Sequence, residues 1–600
     1  MHYFPTILSS LRQTVTARRT AYSILWLLPP VTAFYLMQLV YGGSLRFSPG
    51  VVMGNALCLG CGYVLLAALT GSPALSCTIL HLAAGLWGAV NYFVTTYRGN
   101  PVLPWDLTAL GTAAAVGGSY SYRPTPRMVL ALVLFLALLA ALLRAARAGW
   151  LPTLRKRPLL RLACLAAGLV CLIPVVFPKT LDRFGIRSDV WNQSGAYRTS
   201  GALGAFLRNT EFMNVEVPGS TTPEHLDQIM AEVPAAATPA AGADRPNIIA
   251  IMNESWADFE EFGHLSLSES VTDYVRSLPD AQFGHTYTSV FGAGTSASEF
   301  EFLTGNSMAF LPSGSIPYQQ YILKDAPSLA SLLKAQGYRT LAFHPGERTS
   351  WQRDRAYPRL GFDRFKCGDD MDVPQTMEHG YVSDRSDFHQ LIWELEHKEK
   401  GQPLFLFNVT IQSHGSYTAA DFPTQVRLAD APGQYPMAEQ YLTLANLTDQ
   451  ALKTLIDYLR DYDEPTLLLM FGDHQPSVEQ GFLDMAYGVT QDRMSMEQYM
   501  DKFRTPYVFW ANYPVDWDGP GDNTSLNFLG QYLLEYAGIP TDDYGRYLWD
   551  LQTTLPALTF VGYTDADGTA YSHLATTEYT EKIRDYQRMQ YVRLFGWPKQ

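Results

Sequence analysis

Acidic side chains are almost absent from the first 180 residues, where Asp106 is the one carboxylate against fourteen lysines and arginines, a local net charge of +13. The remaining 420 residues carry 30 basic and 56 acidic side chains, a net of −26. Such a division describes an apolar, basic-flanked membrane part joined to an acidic soluble part, and 600 residues are too many for one core in any case. The whole-chain average, 47% hydrophobic and 17% charged, hides this split. The acidic half also excludes nucleic acid as a partner, because phosphate backbones require positive charge.

Apolar stretches near 21–42, 50–70, 74–96, 127–146 and 158–178 are each long enough to cross a ~30 Å hydrocarbon core, which predicts five transmembrane helices over 1–178. Arg12, Arg18 and Arg19 precede the first stretch, and Arg144, Arg147, Arg155, Lys156, Arg157 and Arg161 surround the fourth connection. The positive-inside rule makes both cytoplasmic and places everything after residue 178 outside. The first stretch lacks a small-residue cleavage site and reads as an uncleaved helix. Asp106 has two readings, a cap on a short helix or a lipid headgroup contact.

Residues 179–216 mix aromatic and basic side chains, which suits a segment on the membrane surface, and 217–245 read as a Pro-Ala-Thr-Gly linker whose Ala-x-Ala steps could be cut by a protease. Beyond it lies a single cysteine, Cys367, so the outer domain of 246–600 has no internal disulfide. Its C-terminal stretch, Thr577 to Phe595, predicts an amphipathic helix. The sequons at Asn408 and Asn446 are read as chance matches.

From residue 246, continuous runs rich in β-branched and large apolar residues recur at 247–252, 340–343, 404–409, 467–471 and 507–510, with helical patterns such as 328–336 and 438–462 between them. Runs that do not alternate are strands buried on both faces, so the outer domain is α/β with a mainly parallel sheet. Four of the runs end in polar clusters: Asn253-Glu254-Ser255, His344-Pro345-Gly346, Gln412-Ser413-His414-Gly415 and Gly472-Asp473-His474. Ligands bind outside the carboxyl ends of such strands, so these clusters are expected in one crevice.

Glu254, Asp473 and His474 make a mixed carboxylate and imidazole set that suits one divalent cation such as Mn²⁺ or Zn²⁺; taken singly, each is equally a helix cap or a turn residue. Thr295 follows Gly292-Ala293-Gly294 and opens a helical pattern. It is either a nucleophile at a positive helix end or an N-cap closed by Ser298 or Glu299. A hydroxyl needs a base or a metal to become a nucleophile, and the neighbouring set offers one.

Met252-Asn253-Glu254-Ser255, Gly294-Thr295 with Glu299-Phe300, Trp351-Gln352-Arg353 and Phe471-Gly472-Asp473-His474 together resemble the lipoteichoic acid synthase family. These are membrane-anchored phosphoglycerol transferases of the alkaline phosphatase and sulfatase superfamily. The resemblance implies a sulfatase-like domain with Glu254, Thr295, Asp473 and His474 around one ion, Mn²⁺ favoured and Mg²⁺ or Zn²⁺ possible. It implies Thr295 as nucleophile and His344, Trp351, Arg353 and His414 as the substrate-binding positions, with Tyr417 and Asp384 close by. The donor would be phosphatidylglycerol in the bilayer and the acceptor a glycolipid or teichoic acid, at a bacterial, Gram-positive cell membrane. The sequence Thr410-Ile411-Gln412-Ser413-His414-Gly415 departs from the best-studied synthases, which leaves the acceptor open.

The chemistry expected of this set is ping-pong. The glycerol phosphate passes to Thr295, diacylglycerol leaves, and an acceptor hydroxyl takes the group, with His414 giving and then taking a proton. Arg353 offers a planar fork for phosphate oxygens, or else a salt bridge to Asp354 or Asp363. Two alternatives share much of this machinery, a phosphoethanolamine transferase and an inactive glycolipid-binding homologue. A true sulfatase would need a Cys/Ser-x-Pro-x-Arg sequence, which the outer domain lacks.

Overall fold

A computed structural model describes residues 28–98, 101–109, 122–147, 153–155, 157–187, 193–213, 215–235 and 245–598. They form two compact units, one within residues 1–107 and 121–214 and one within 108–120 and 215–600.

In the first unit, among the described residues, four helices are long and apolar enough to cross a membrane, Pro49–Thr70, Pro73–Tyr97, Pro126–Arg147 and Pro158–Val176. Five were expected. The first expected span is represented by Pro29–Tyr41, 13 residues, and its beginning lies outside the described residues. Proline opens each helix, where its missing N–H costs nothing, and Gly71 closes Pro49–Thr70 in the left-handed conformation. The chain is thus a multi-pass membrane protein.

The aromatic and basic segment after the last span folds onto these helices. Within it lie the short helices Gln193–Ser200 and Ala202–Arg208. Buried Asn55 donates to the carbonyl of Ser200 at 2.8 Å and accepts from the N–H of Gly204 at 2.8 Å, and Phe206 packs edge-on against Trp87. Asp106 folds back to accept from the N–H of Leu103 at 2.7 Å, a local turn bond.

The second unit is built on strands β1 (Asn247–Asn253), β2 (Ala281–Tyr287), β3 (Arg339–His344), β4 (Arg364–Cys367), β7 (Leu404–Val409), β8 (Thr466–Gly472) and β9 (Arg504–Ala511), in the order β2-β9-β8-β1-β7-β3-β4. The five strands from β8 to β4 are parallel. Strand β9 runs antiparallel to both its neighbours, so the sheet is mixed and mostly parallel. A separate two-stranded hairpin pairs β5 (Met377–Glu378) with β6 (Tyr381–Val382). Helices cover both faces of the sheet. Phe300, Phe302 and Leu329 seal one, while Phe388, Leu391 and Leu455 seal the other. Each fully buried side chain of this size contributes ~1.5–3 kcal/mol, which is why the central strands need no alternation.

The five apolar runs are β1, β3, β7, β8 and β9; β2 and β4, which are short or only partly buried, carry no such run. The linker holds a helix, Pro223–Glu232, capped by Thr222, and His225 lies 3.1 Å from Asp585 of the C-terminal helix Thr580–Phe595. The Ala-x-Ala steps of the linker, at 235–237 and 241–243, lie outside the described residues except for Ala235. The C-terminal helix buries Tyr586, Gln590 and Leu594 in this unit. Asn408 is fully buried in β7, which closes it to modification.

Candidate active site

Parallel register brings together residues far apart in sequence. Strands β1 and β8 are neighbours with Asn253 opposite Gly472, so the next residues, Glu254 and Asp473, leave the sheet side by side. Gly472 is required there, because a Cβ would lie 2.0 Å from the carbonyl oxygen of Trp256. Ser255 sits in the left-handed region at φ 56° and ties the two acids together. Its N–H donates to Asp473 Oδ1 at 2.7 Å and its hydroxyl to Glu254 Oε1 at 3.0 Å. A strained non-glycine backbone held by two such bonds is typical of a functional centre.

The helix Thr295–Thr304 starts beside them. Gly294, at φ 108°, supplies the turn, and Ser298 donates to the carbonyl of Asp473 at 2.6 Å, docking the helix on the end of β8. Thr295 Oγ1 donates to Glu254 Oε2 at 3.3 Å, and Glu299 is engaged elsewhere, so the capping box does not form.

The donor set fits a divalent cation. Ligand atoms of Glu254, Asp473 and His474 all lie within 4.8 Å of one another, and all three residues are buried. His474 donates from Nδ1 to the carbonyl of Gln475 at 3.0 Å, so its Nε2 presents a lone pair, 3.3 Å from Asp473 Oδ2 and 3.7 Å from Glu254 Oε1. Asp473 Oδ2 and His474 Nε2 have no hydrogen-bond partner although fully buried. Three lone pairs aimed at one another without a proton between them repel, and a cation removes the repulsion. Without one, burial and then the charge of Glu254 push the Asp473 carboxyl well up, and burial pushes the His474 imidazole down.

The other expected residues lie on or after the neighbouring strands β3 and β7. His344, at the end of β3, donates from Nδ1 to the carbonyl of Val409 at 2.8 Å, and burial, with Arg353 and His414 adding to it, holds the ring neutral. Its Nε2 is therefore an acceptor. His414 is half-buried and donates from Nδ1 to the carbonyl of Gly415 at 2.8 Å, which leaves Nε2 as its working nitrogen. Trp351 and Gln352 are both left-handed, at φ 55° and 61°, and this turn precedes Arg353; Trp351 is half-buried against the core.

Arg353 pairs with neither Asp354 nor Asp363. Its Nε and Nη2 donate to Glu299 Oε1 at 2.9 and 2.6 Å, and Tyr357 donates to the other oxygen at 2.6 Å, all three residues being buried. Nη1 takes no part in that pair. Asp363 instead holds Lys334 at 2.7 Å. Glu299 stands one helical turn after Thr295, so a single helix fixes both the hydroxyl and the guanidinium.

Three residues near the site, of which the resemblance had pointed to Asp384 and Tyr417 without a role, brace it from behind. Thr410 accepts from the N–H of Glu254 at 3.0 Å. Asp384 accepts from Asn253 at 3.0 Å and from Thr448 at 2.6 Å, beneath the first strand, where burial raises its carboxyl to about 6. Tyr417 is buried and donates to the carbonyl of Ser413 at 2.9 Å, bracing the loop that carries His414.

Residues 246–514 match the family model described as Sulfatase. A putative cyclic beta-1,2-glucan modification protein of Rhizobium meliloti is 30% identical over 476 residues, 76% of this chain and 72% of that protein. A lipoteichoic acid synthase of Staphylococcus saprophyticus is 26% identical over 381 residues, covering 58% of this chain and 55% of that one. Among solved structures, the Streptococcus pyogenes phosphoglycerol transferase in complex with sn-glycerol-1-phosphate superposes with a TM-score of 0.50 at 17% identity, over 64% of this chain and 96% of that chain. A Gram-positive source finds no support, since the relative from Rhizobium meliloti is the more similar of the two named.

Proposed function

This chain belongs to the sulfatase family, and from that premise we propose that it transfers glycerol phosphate from phosphatidylglycerol, through Thr295, to the hydroxyl of a glucan-type glycan. The observation that carries the reading is Thr295 Oγ1 at 3.3 Å from Glu254 in a buried set in which Asp473 Oδ2 and His474 Nε2 have no hydrogen-bond partner. Glu254, Asp473 and His474, with Thr295 Oγ1, would hold one divalent ion, Mn²⁺ favoured and Mg²⁺ or Zn²⁺ possible; when bound it lowers the proton affinity of the hydroxyl and offsets charge on the phosphoryl oxygens.

The chain's own groups supply the rest. Thr295 Oγ1 passes its proton to Glu254 Oε2, 3.3 Å away, and attacks phosphorus, and the bond to the diacylglycerol oxygen breaks. His414 Nε2, protonated at that moment, gives its proton to the departing oxygen. Arg353, pinned by Glu299, meets a phosphate oxygen with Nη1. Neutral His344 accepts a hydrogen bond from a glycerol hydroxyl, a contact that a phosphate oxygen cannot make. In the second half His414 Nε2 removes the proton of the acceptor hydroxyl, whose oxygen displaces Thr295 from phosphorus, and Glu254 returns the proton to Thr295 Oγ1.

The lipid donor accounts for the membrane helices. The glucan acceptor is suggested by the Rhizobium meliloti relative, and teichoic acid or a glycolipid is the competing class. The test is purified protein with labelled phosphatidylglycerol and Mn²⁺, beside Thr295→Ala. Diacylglycerol release and glycerophosphate trapped on the wild type, but not on the variant, are expected. Release from phosphatidylethanolamine alone would replace the donor, and release from neither lipid by folded protein would sink the transferase.

A further inference from the structure

Beside the base of the proposed reaction stands a surface that this chemistry has not used. The hairpin of β5 and β6 puts the half-buried ring of Tyr381 5.3 Å from the imidazole of His414, tilted by 52°, and the Tyr381 hydroxyl donates to the carbonyl of Gly415 at 3.3 Å. His379, on the turn of the hairpin, lies 5.2 Å from Tyr381 and 6.0 Å from Phe422, and stacks on the buried ring of Tyr417 at 6.3 Å. Its Nε2 donates to the carbonyl of Gln412 at 2.7 Å, which locks the hairpin to the loop that bears His414. Met377, at the hairpin's start, is 54% exposed.

The charge here is as telling as the rings. Residues 373–383 and 411–426 contain no lysine or arginine, and they carry Glu378 and Asp421. A polyanionic acceptor such as a glycerol-phosphate chain meets repulsion on such a wall, whereas an uncharged sugar does not. Pyranose rings present flat C–H faces that pack on aromatic rings and hydroxyls that reach adjacent imidazoles.

We propose that Tyr381, with His379 and Phe422 behind it, is the acceptor platform, and that it takes an uncharged pyranose ring of a glucan and holds one hydroxyl at His414. This rests on the phosphoglycerol-transfer reading and deepens it. On the platform the acceptor oxygen forms the new bond to phosphorus, the bond from phosphorus to Thr295 Oγ1 breaks, the acceptor proton passes to His414 Nε2, and the proton held by Glu254 returns to Thr295 Oγ1, so that atoms and charge balance.

The experiment uses the full-length protein in phosphatidylglycerol nanodiscs with cyclic β-glucan as the probe. It measures how glycerophosphate divides between glucan and water. Tyr381→Ala is expected to shift that division toward water at least tenfold, while Tyr381→Phe, which keeps the ring and loses the bond to Gly415, divides it as the wild type does. Tyr381→Leu preserves apolar packing in case the alanine variant is unstable, and it is expected to behave as Tyr381→Ala. Titration of glucan into Thr295→Ala protein, with and without Tyr381→Leu, measures binding apart from chemistry; loss of glucan binding with Tyr381→Leu is expected. A wild-type division in Tyr381→Ala, or tighter binding of polyglycerol phosphate than of glucan, would overturn the platform. Diacylglycerol release with neither transfer to nor binding of glucan overturns the platform alone. Absence of diacylglycerol release overturns the donor reading, and the binding titration then decides the platform by itself.

Discussion

Replacing Glu299 by glutamine tests whether a buried ion pair holds the site together. Glu299 and Arg353 have side chains 0% and 2% exposed, and the carboxylate receives two guanidinium N–H groups and the Tyr357 hydroxyl. Glutamine keeps the volume and an oxygen for Tyr357 but strands the guanidinium in the core. Breaking one half of such a pair costs ~3–5 kcal/mol, because the surviving charge has lost its partner away from water. That is roughly two to four decades in the unfolding constant. It is also a large share of the ~5–15 kcal/mol that stabilises a domain. Urea titration of the full-length protein, followed by tryptophan fluorescence and by pulse proteolysis of the soluble unit, reads the loss. The double variant Glu299→Gln with Arg353→Met removes both charges and is expected to recover most of it, since an apolar replacement of a whole buried pair is close to neutral. A single variant within ~1 kcal/mol of wild type, or costs that simply add in the double, would refute the account.

Three further outcomes follow from the same geometry. Asp473→Asn should weaken Mn²⁺ binding, read by equilibrium dialysis, by more than the ~10–100-fold typical of residues one step removed from a metal, because it takes the negative charge from a ligand itself. Gly472→Ala should destabilise the soluble unit by at least ~1–3 kcal/mol or prevent folding, since its methyl would stand 2.0 Å from the Trp256 carbonyl oxygen; wild-type melting would contradict the register assigned to β1 and β8. His285 is buried with Nδ1 2.9 Å from Asp522 and Nε2 3.1 Å from Asp258, while Glu261, Arg504 and Arg276 complete its surroundings. Burial works to lower its pKa, but hydrogen bonds to Asp258 and Asp522 and the charge of Glu261 outweigh it and raise the value to about 9. The His285 contribution is then present below about pH 6.5, the unfolded value, and lost as pH rises through 9, up to ~3 kcal/mol, less the share of Glu261, whose carboxyl burial raises to about 7 so that its charge fades below that pH. A His285→Gln variant with the same alkaline slope in its melting temperature would remove this assignment.

Composition and hydropathy determined much of this protein without any structure. One carboxylate in 180 residues made the first part a membrane domain, because apolar spans tolerate few charges. Unbroken apolar runs marked β1, β3, β7, β8 and β9, because strands buried on both faces need apolar residues at every position. Polar residues at the ends of those runs marked Glu254, His344, His414, Asp473 and His474, because ligands of open α/β sheets collect there. Tertiary structure alone decided which of these ends meet. Glu254 and Asp473 are 219 positions apart, and they touch only because β8 pairs with β1 in a register that no single strand encodes. The antiparallel direction of β9, the helix inside the linker, and the choice of Glu299 over Asp354 or Asp363 as the partner of Arg353 were settled in the same way. Local sequence fixes the conformation that a segment prefers, but a buried charge takes whichever partner the packing of distant segments brings within hydrogen-bonding distance.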